Sequence, residues 1–414
     1  MQQREISRRA MLKGSAAAGL GGLGALTVAG PAAAFPVDGG AVLPWLDQPV
    51  PVPPPAQSVV GNLLEWESLG GQLTPAENFF TVKHYEIPTL DPATYRLRVE
   101  GLVDEPRSWS LAQLKELHDR AIEYTLECAG NTGLPFFIGG IGNAVWRGAP
   151  LGKVLRLAGP TDAASEVVFW GADSGQVTIR DDSGITSGGL TGTVEPDAGG
   201  GLDLTITEHF ARSMTLDEAM ESENLLCWEM NDVPLPPEHG FPLRLIAPGW
   251  YGVANVKWLY RIEVTDRPFR GRFMARDYVT IREQQRDGES VWAFSSVTLA
   301  RLKSAPAKVV RSGGEHTVVG AAWGAPVARV EVQVDDGKWQ EAQLEPQRWP
   351  ERRGFAWRFW TYNWGRPSAG VHQVRSRAYD VEGALQPAPD DPAVANRRTY
   401  WEANGWIARR VRIG

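Results

Sequence analysis

Alternating and apolar runs predict β-strands in the first half of the chain. Residues 95–101 read Tyr-Arg-Leu-Arg-Val-Glu-Gly, in which polar and apolar side chains alternate as they do in a half-buried strand. Residues 122–126 follow a similar pattern and lead into a turn at Cys128. Residues 167–170 are wholly apolar, and we expect this strand to end at the small and polar residues 171–175.

One helix and one long loop are predicted between these strands. Ser110 is a good N-cap, and the apolar positions of residues 111–118 fall on one helical face. Residues 184–202 are rich in Gly and Thr, which favours a loop.

The pattern changes at residues 303–306, after which short strand candidates recur with turns between or after them. These candidates are residues 317–323, 328–334, 356–360 and 372–379. Their spacing indicates an immunoglobulin-like β-sandwich. We therefore predict an α+β protein, with a mixed α/β domain over residues 79–302 and an all-β sandwich over residues 303–414.

The N-terminus has the pattern of an export signal. Arg8 and Arg9 precede a weakly apolar Gly/Ala-rich stretch that ends in Pro-Ala-Ala-Ala, so residues 1–34 are predicted to be a twin-arginine signal peptide. The stretch is too short and Gly-rich for a membrane span. The predicted location is the periplasm, reached in the folded state. Residues 35–78 are predicted to form an extended, Pro-rich leader.

Charge and cysteine content narrow the class of protein. The formal net charge is −7, which argues against a nucleic-acid partner. The 414 residues contain two cysteines, so a disulfide scaffold is excluded and two free thiols are expected. Cys227 lies in an apolar run and is expected to pack in the core.

Cys128 and a basic cluster are the candidates for chemistry. Cys128 is followed by Ala-Gly-Asn, a turn that can leave the sulfur facing a cleft, although this position taken alone favours a buried, inert cysteine. No zinc-ligand spacing occurs. His239, Arg244 and Lys257 lie in Gly- and Pro-rich loops and are donors suited to a phosphate.

Several segments together resemble the sulfite oxidase family of molybdopterin-dependent oxidoreductases. Residues 126–131, Leu-Glu-Cys-Ala-Gly-Asn, are similar to the family's metal-binding turn. Residues 225–258 and 78–100 resemble two further stretches of the cofactor domain, and the C-terminal third resembles the dimerisation domain. The resemblance implies a molybdopterin-binding domain followed by an immunoglobulin-like dimerisation sandwich, and a homodimer or a heteromer with a cytochrome subunit.

The resemblance also implies roles for individual residues. Cys128 is the expected thiolate ligand of molybdenum, and Tyr278 the expected hydrogen-bond donor on the substrate side. The expected contacts of the pterin and its phosphate are His84, Asp173, His239, Arg244, Asn255, Val256 and Lys257.

The chain departs from the family at positions where arginines are expected around an anionic substrate. Val82 and Gly133 stand at two such positions, and near the C-terminus Arg397 and Arg398 lie one or two positions from the expected place. Because charge-assisted bonds contribute about 1.5–3 kcal/mol each, these losses weaken binding of a dianion. A less charged sulfur compound fits better beside Leu134, Phe136 and Phe137.

The predicted function is molybdenum-dependent oxidation of an inorganic sulfur compound, sulfite or sulfane sulfur, by oxygen-atom transfer. No C-x-x-C-H haem motif occurs, so a separate c-type cytochrome or similar carrier is expected to take the electrons. Two alternatives stay open at this stage. One is a molybdopterin reductase of sulfoxides or similar oxides, and the other is a non-catalytic docking subunit on the same scaffold.

Overall fold

The structure is a computed structural model that describes residues 39–179, 204–346 and 355–414. The predicted export signal and the predicted loop over residues 184–202 lie outside these described residues. Strands account for most of the regular structure in the described ranges, and the helices are short. The first domain is therefore richer in sheet than the mixed α/β domain that the sequence predicts.

The strands are named in chain order. They are β1 (Ala41–Leu43), β2 (Val60–Gly61), β3 (Thr81–Val82), β4 (Arg96–Gly101), β5 (Arg107–Ser110), β6 (Arg120–Glu127), β7 (Ile141–Pro150), β8 (Glu166–Ile179), β9 (Leu204–Thr215), β10 (Leu225–Met230), β11 (Val233–Pro234), β12 (Arg244–Ile246), β13 (Leu259–Thr265), β14 (Val279–Arg286), β15 (Glu289–Ser296), β16 (Lys303–Ser312), β17 (Glu315–Trp323), β18 (Val327–Val334), β19 (Gln340–Glu341), β20 (Gln343–Leu344), β21 (Arg358–Gly365), β22 (Gly370–Asp380) and β23 (Ala408–Ile413).

The helices are named in the same way. The α-helices are α1 (Leu111–Lys115), α2 (Leu151–Ala158), α3 (Leu216–Ala219), α4 (Arg272–Ala275) and α5 (Pro392–Ala395). Single 3-10 turns occur at Ala56–Ser58, Trp66–Ser68, Ala76–Asn78, Pro237–His239 and Gly252–Ala254. None of the helices in the described ranges has the length and hydropathy needed to cross a membrane.

Helix α1 begins where the sequence predicts and ends earlier. Ser110 and Gln113 form a reciprocal capping box, in which the Ser110 side chain accepts from the Gln113 N–H. The predicted helix over residues 111–118 stops at Lys115, because the chain tightens into a turn in which Leu117 N–H donates to Leu114 O, and then starts β6 at Arg120.

Five strands form the first sheet in the order β5-β4-β13-β8-β9, with β4 and β13 parallel. The sequence predicts that β8 ends at residues 171–175, whereas the strand continues to Ile179 because β9 pairs with it on both sides of an irregularity. The register shifts between Trp170 and Ser174, so the chain bulges there and Asp173 lies in the bulge.

The second sheet has the order β11-β10-β7-β6, and β12 also pairs with β10. Leu97 and Ile262 of the first sheet belong to the same buried core as Leu226 and Leu245 of the second. Strand β6 ends directly before Cys128, so the packing of these sheets sets the position of the thiol.

Two further sheets form a sandwich over the C-terminal part of the chain. Their orders are β1-β16-β17-β21-β20 and β19-β18-β22-β23. Val309 and Val318 of one sheet share a buried core with Val330 and Val374 of the other. The predicted strands of this region are confirmed, and the finer assignment of an immunoglobulin-like topology stays a prediction.

The segment predicted as an extended leader packs against this sandwich. Strand β1 adds to the edge of β16, and Trp45 is buried with its Nε1–H donating to Ala307 O at 2.9 Å. Trp66 stacks on Trp323 with ring centroids 5.6 Å apart. Burial of these aromatic rings therefore fixes the described part of residues 35–78 against the sandwich. The assignment of residues 35–78 as a separate extended leader stays a prediction.

Candidate active site

One cleft brings together residues that are far apart in the sequence. Its empty space, including space open to solvent, is about 650 Å³. Its wall contains Phe79, Phe80, Thr81, Val82, Lys83, His84, Leu126, Cys128, Asp173, Phe210, His239, Arg244, Gly252, Val253, Asn255, Lys257, Trp258 and Tyr278. All the site residues predicted from the sequence belong to this wall except Val256. That residue lies in the core, where its carbonyl accepts from Leu245 N–H at 2.8 Å.

Cys128 is held in a tight turn at the end of β6. Its N–H donates to Gly140 O at 2.8 Å, and its carbonyl accepts from Asn131 N–H at 2.9 Å. The residue is only 6% exposed, and burial raises the pKa of its thiol to about 12. A thiolate at this position therefore requires a nearby cation such as a metal ion. Both cysteines are free, as predicted, and Cys227 is buried in the core.

A buried ion pair lies directly behind the Cys128 turn. Lys303 Nζ donates to Glu127 Oε1 at 2.6 Å, and both side chains are 1% exposed. Asn131 Nδ2 donates to the same oxygen at 2.9 Å, and Asn131 Oδ1 accepts from Gly140 N–H at 3.1 Å. The residue before the thiol is thus bonded to the first residue of β16, which connects the Cys128 turn to the C-terminal sandwich.

His84 and Tyr278 form a hydrogen-bonded pair in the cleft. His84 Nε2 and Tyr278 Oη are 2.8 Å apart. His84 packs against the rings of Phe210 and Phe273, which also contact each other. Burial, and next the charge of Lys257, lower the pKa of His84 to about 4, so the imidazole is neutral at pH 7. Burial raises the pKa of Tyr278, which keeps the phenol protonated.

Asp173 enters the cleft because β8 bulges. Gly171 lies two residues before it, and a Cβ at Gly171 would overlap Asp173 Oδ1 and lie 3.0 Å from the Lys257 carbonyl oxygen, so the present position of the Asp173 side chain favours a glycine there. Within the described ranges, Asp173 Oδ1 is buried without a hydrogen-bond partner. Burial raises the pKa of this carboxyl group to about 7, although the charge of Lys257 partly offsets the effect.

Arg244 is the centre of the basic cluster. Its guanidinium donates to His239 O at 3.0 Å and to Asn255 O at 3.1 Å, and it lies 5.0 Å from the centre of the Trp146 ring. Burial lowers the pKa of Arg244 to about 10, which leaves it charged at neutral pH. Arg244 Nε is buried without a partner in the described part of the chain.

Lys257 and His239 complete the cluster from neighbouring loops. Lys257 Nζ donates to the carbonyls of Val82 and Glu238, at 2.9 Å each. His239 Nε2 bonds the carbonyl of Ala76 at 3.1 Å, and therefore donates. Burial lowers the pKa of Lys257 to about 7 and that of His239 to about 3. A bound anion would raise both pKa values and so increase the positive charge at this end of the cleft.

Known proteins resemble this chain over most of its length. The family model described as "Oxidoreductase molybdopterin binding domain" matches residues 84–188 and 193–273, and the one described as "Mo-co oxidoreductase dimerisation domain" matches residues 291–408. Sulfite oxidase from Arabidopsis thaliana is 30% identical over 324 residues, which cover 71% of this chain and 74% of that protein. Sulfite oxidase from Gallus gallus is 30% identical over 343 residues, with 76% and 68% covered.

This chain belongs to the sulfite oxidase family. It is 35% identical over 315 residues to mitochondrial sulfite oxidase from Mus musculus, with 70% of this chain covered, and it spans about half the length of that relative, 52%. A crystal structure of the sulfane dehydrogenase SoxCD from Paracoccus pantotrophus has the same fold, with a TM-score of 0.68 and 23% identity over 95% of this chain and 96% of that chain. The resemblance noted in the sequence is confirmed, and so is the molybdopterin-dependent oxidoreductase class that it implies.

The residues in the cleft of this sulfite oxidase family member fit a molybdopterin. Two buried polar atoms, Arg244 Nε and Asp173 Oδ1, lack partners within the described ranges and suit a phosphate oxygen and a pterin N–H. Cys128 supplies a soft ligand in the same cleft. In residues 39–179, 204–346 and 355–414, no group of three or more His, Cys, Asp or Glu side chains is placed to hold a metal ion by itself.

The positions of the expected arginines are occupied differently. Val82 lines the cleft, and its carbonyl accepts from Lys257. A side chain at Gly133 would overlap the carbonyl of Tyr400, so no arginine fits there. Arg397 donates to Glu402 O at 2.6 Å, and Arg398 pairs with Glu283 at 2.9 Å, so both guanidinium groups are bonded elsewhere.

Some residues beside the site were missed by sequence reasoning. Arg212 is buried in β9, where its guanidinium donates to the carbonyls of Phe273 and Val297, and its charge lies near Tyr278. Strand β9 reads LTITEHFARSMT, in which no local pattern marks Arg212 as a buried residue. For Lys303 and for Tyr400 no local pattern pointed to the site.

Replacing Asp173 by asparagine is expected to stabilise the cofactor-free protein at pH 8 and not at pH 3.5. The folded-state pKa of about 7 lies above the unfolded value of 3.8, so ionisation destabilises the fold progressively from about pH 4 and fully above pH 7. The gain reaches about 4 kcal/mol at most. Thermal melts of both proteins across this pH range measure it. A stability difference that is independent of pH would contradict the assignment.

Proposed function

We propose that this protein oxidises a reduced sulfur compound by oxygen-atom transfer and passes the electrons to a separate c-type cytochrome in the periplasm. In each turnover the substrate sulfur gains one oxygen from water, and two protons and two electrons are released. The observation that carries the proposal is the placement of the Cys128 thiol and the His84–Tyr278 pair in one cleft with the basic cluster. The family membership and the Arg8-Arg9 export pattern support it.

The cofactor, when bound, supplies the two-electron oxygen-atom chemistry. Cys128 would hold the metal, Asp173 and His84 would bind the pterin, and Arg244 with Lys257 would bind the phosphate. Phe79, Phe80 and the other aromatic rings that line the cleft would exclude water from the pterin. The chain thus binds and orients the group, and the buried charges set the electrostatic potential around it.

Tyr278 would act on the substrate side of the metal. If His84 carries its proton on Nε2, it donates to Tyr278 Oη, which leaves the phenol O–H free to donate to an oxygen of the substrate. Only a neutral imidazole can carry its proton on either ring nitrogen, and the low pKa of His84 keeps its ring neutral at pH 7. The buried charge of Arg212 stabilises negative charge that develops near the phenol oxygen.

We further propose that residues 303–414 form an immunoglobulin-like dimerisation domain, and that the protein acts as a homodimer or as a heteromer with a cytochrome subunit. The match of residues 291–408 to a dimerisation model supports this assignment. The shared core of the two C-terminal sheets supports the sandwich architecture. The domain boundary between residues 302 and 303 is part of the same proposal.

Assays of the molybdenum-loaded protein test the reaction and its direction. We expect sulfite or a sulfane-sulfur donor to reduce added c-type cytochrome, with two equivalents reduced for each oxygen transferred. Oxidation of reduced viologen by a sulfoxide, without activity in the first assay, would support the reductase alternative instead. A protein that contains stoichiometric molybdenum and turns over none of these compounds contradicts the proposal. A protein purified without molybdenum would favour the non-catalytic alternative.

A further inference from the structure

Strand β9 carries a buried cation next to the cleft. Arg212 is 1% exposed, and its backbone pairs with Phe169 of β8, which is also buried. The guanidinium donates to the carbonyl oxygens of Phe273 and Val297. Its Nε has no hydrogen-bond partner in the part of the chain that the structure describes. The side chain is therefore fixed by backbone oxygens from two other segments.

These two oxygens lie on both sides of Tyr278 along the chain. Phe273 belongs to α4, before Tyr278, and its ring centroid is 4.8 Å from that of His84. Val297 follows β15, and its N–H donates to Tyr278 O at 2.9 Å. Arg212 thus fastens the base of the β14–β15 hairpin, which begins directly after Tyr278. The position of the phenol beside His84 depends on these bonds.

The charge of Arg212 has no carboxylate partner among the described residues. Arg272, by contrast, pairs with Asp277 at 2.6 Å. Burial lowers the pKa of Arg212 to about 10, so the guanidinium is still charged at neutral pH. Removing such a cation from water costs several kcal/mol, whereas a neutral donor bonds a carbonyl at a smaller cost. An unpaired charge at this position therefore points to a role beyond packing.

The phenol oxygen of Tyr278 is the group on which this charge acts. Burial, and next the charge of Cys128, raise the pKa of Tyr278, and the charges of Tyr400 and Asp277 act in the same direction. The charge of Arg212 lowers this pKa. A cation that stabilises negative charge on a phenol oxygen also makes the phenol a stronger hydrogen-bond donor.

We propose that Arg212 is a positioning residue, which fixes the backbone on both sides of Tyr278 and strengthens the hydrogen bond that its phenol donates to the substrate. The inference rests on the proposed function for the place of the substrate beside Tyr278. The effect falls on kcat and leaves KM nearly unchanged, because the phenol bond strengthens as negative charge develops on the transferring oxygen.

Two variants of the molybdenum-loaded protein separate the charge from the hydrogen bonds. Arg212→Gln keeps a donor but is neutral, and kcat is expected to fall at least about tenfold, with KM within about twofold. Arg212→Lys keeps the charge, and kcat near pH 6 should stay within about threefold of the unmodified protein. Because burial lowers the pKa of a lysine, this variant should lose activity as the pH rises, over a range in which the arginine stays charged.

Fluorine NMR follows the phenol without turnover. Replacing the tyrosines by a fluorinated tyrosine, whose phenol ionises at lower pH, makes the ionisation of Tyr278 observable in the oxidised, molybdenum-loaded protein. Tyr278→Phe identifies its signal. We expect Tyr278 to ionise at higher pH in Arg212→Gln than in the unmodified protein, because the neutral variant no longer stabilises the phenolate.

Arg358→Gln is the matched control. Arg358 also donates to two carbonyls, those of Val327 and Glu345 at 2.9 Å each, but it lies in the C-terminal sandwich, so kcat and the Tyr278 signal should not change. Thermal melts and molybdenum content establish that each variant is folded and loaded. Unchanged ionisation of Tyr278 in Arg212→Gln overturns the inference. If that variant does not fold, the lysine variant decides, and a pH profile of kcat equal to that of the unmodified protein overturns it. A shifted ionisation in a protein that turns over no sulfur compound would overturn the proposed function and leave the role of Arg212 standing.

Discussion

Replacing Cys128 by alanine is expected to abolish turnover while leaving the fold and the bound pterin largely intact. The thiol is the one protein ligand proposed for the metal, and it lies in the cleft with the pterin and phosphate contacts. Because changes in the second shell of metal sites already cost about 10–100-fold, loss of this ligand is expected to lower kcat by more than about 100-fold. The measurements are steady-state kinetics, pterin content and the molybdenum(V) resonance.

Cys227→Ala is the matched control for that variant. Cys227 is as deeply buried as Cys128, but its sulfur bonds the carbonyl of Glu229 in β10 and is absent from the wall of the cleft. We expect activity near that of the unmodified protein and a loss of about 1 kcal/mol in the free energy of unfolding. Full activity in Cys128→Ala, or an equal loss of activity in both variants, would contradict the assignment of the ligand.

Lys303→Met is expected to destabilise the fold strongly although the residue lies outside the cleft. It leaves Glu127 buried as an unpaired carboxylate directly before Cys128. Breaking one side of a buried pair costs about 3–5 kcal/mol. For a chain of this size the midpoint of thermal unfolding should fall by about 5 °C. Because Glu127 also positions Asn131, activity should fall with stability.

A double variant separates the charge effect from the loss of packing. Lys303→Met combined with Glu127→Gln removes both charges and keeps an acceptor for Asn131, so at least half of the lost stability should return. Arg366→Met breaks an exposed pair with Glu315 and should cost less than about 1 kcal/mol. A Lys303 variant no less stable than the Arg366 variant would show that the buried pair has no such role.

The candidate site could be predicted largely because its residues occur in short local motifs. Cys128 in its Cys-Ala-Gly-Asn turn, and Arg244 after a Gly- and Pro-rich loop, carry their chemistry within a few neighbouring positions. The structure brings both into one cleft with His84, Asp173 and Tyr278. Val256 was assigned as a contact through its place in a motif, but its side chain points to the core because its neighbours Asn255 and Lys257 face the cleft.

The strand-rich fold was predicted only in part. Alternating apolar and polar residues located β4, β6 and the strands of the sandwich, because side chains on one face of a strand recur at every second position. No sequence pattern marked the bulge in β8, so the prediction ended this strand too early. The predicted leader was treated as extended because of its prolines, whereas burial of Trp45 and Trp66 against β16 and β17 decides its conformation.

The sequence by itself determined the family and the cofactor class, and it supplied the residues proposed to bind the metal and the phosphate. Only the tertiary structure decided what surrounds them. Lys303 is 176 positions from Glu127, and Trp401 stacks on Tyr278 from the end of the chain. Contacts between such distant residues depend on how the sheets pack, and no local pattern of apolar and polar positions encodes that packing.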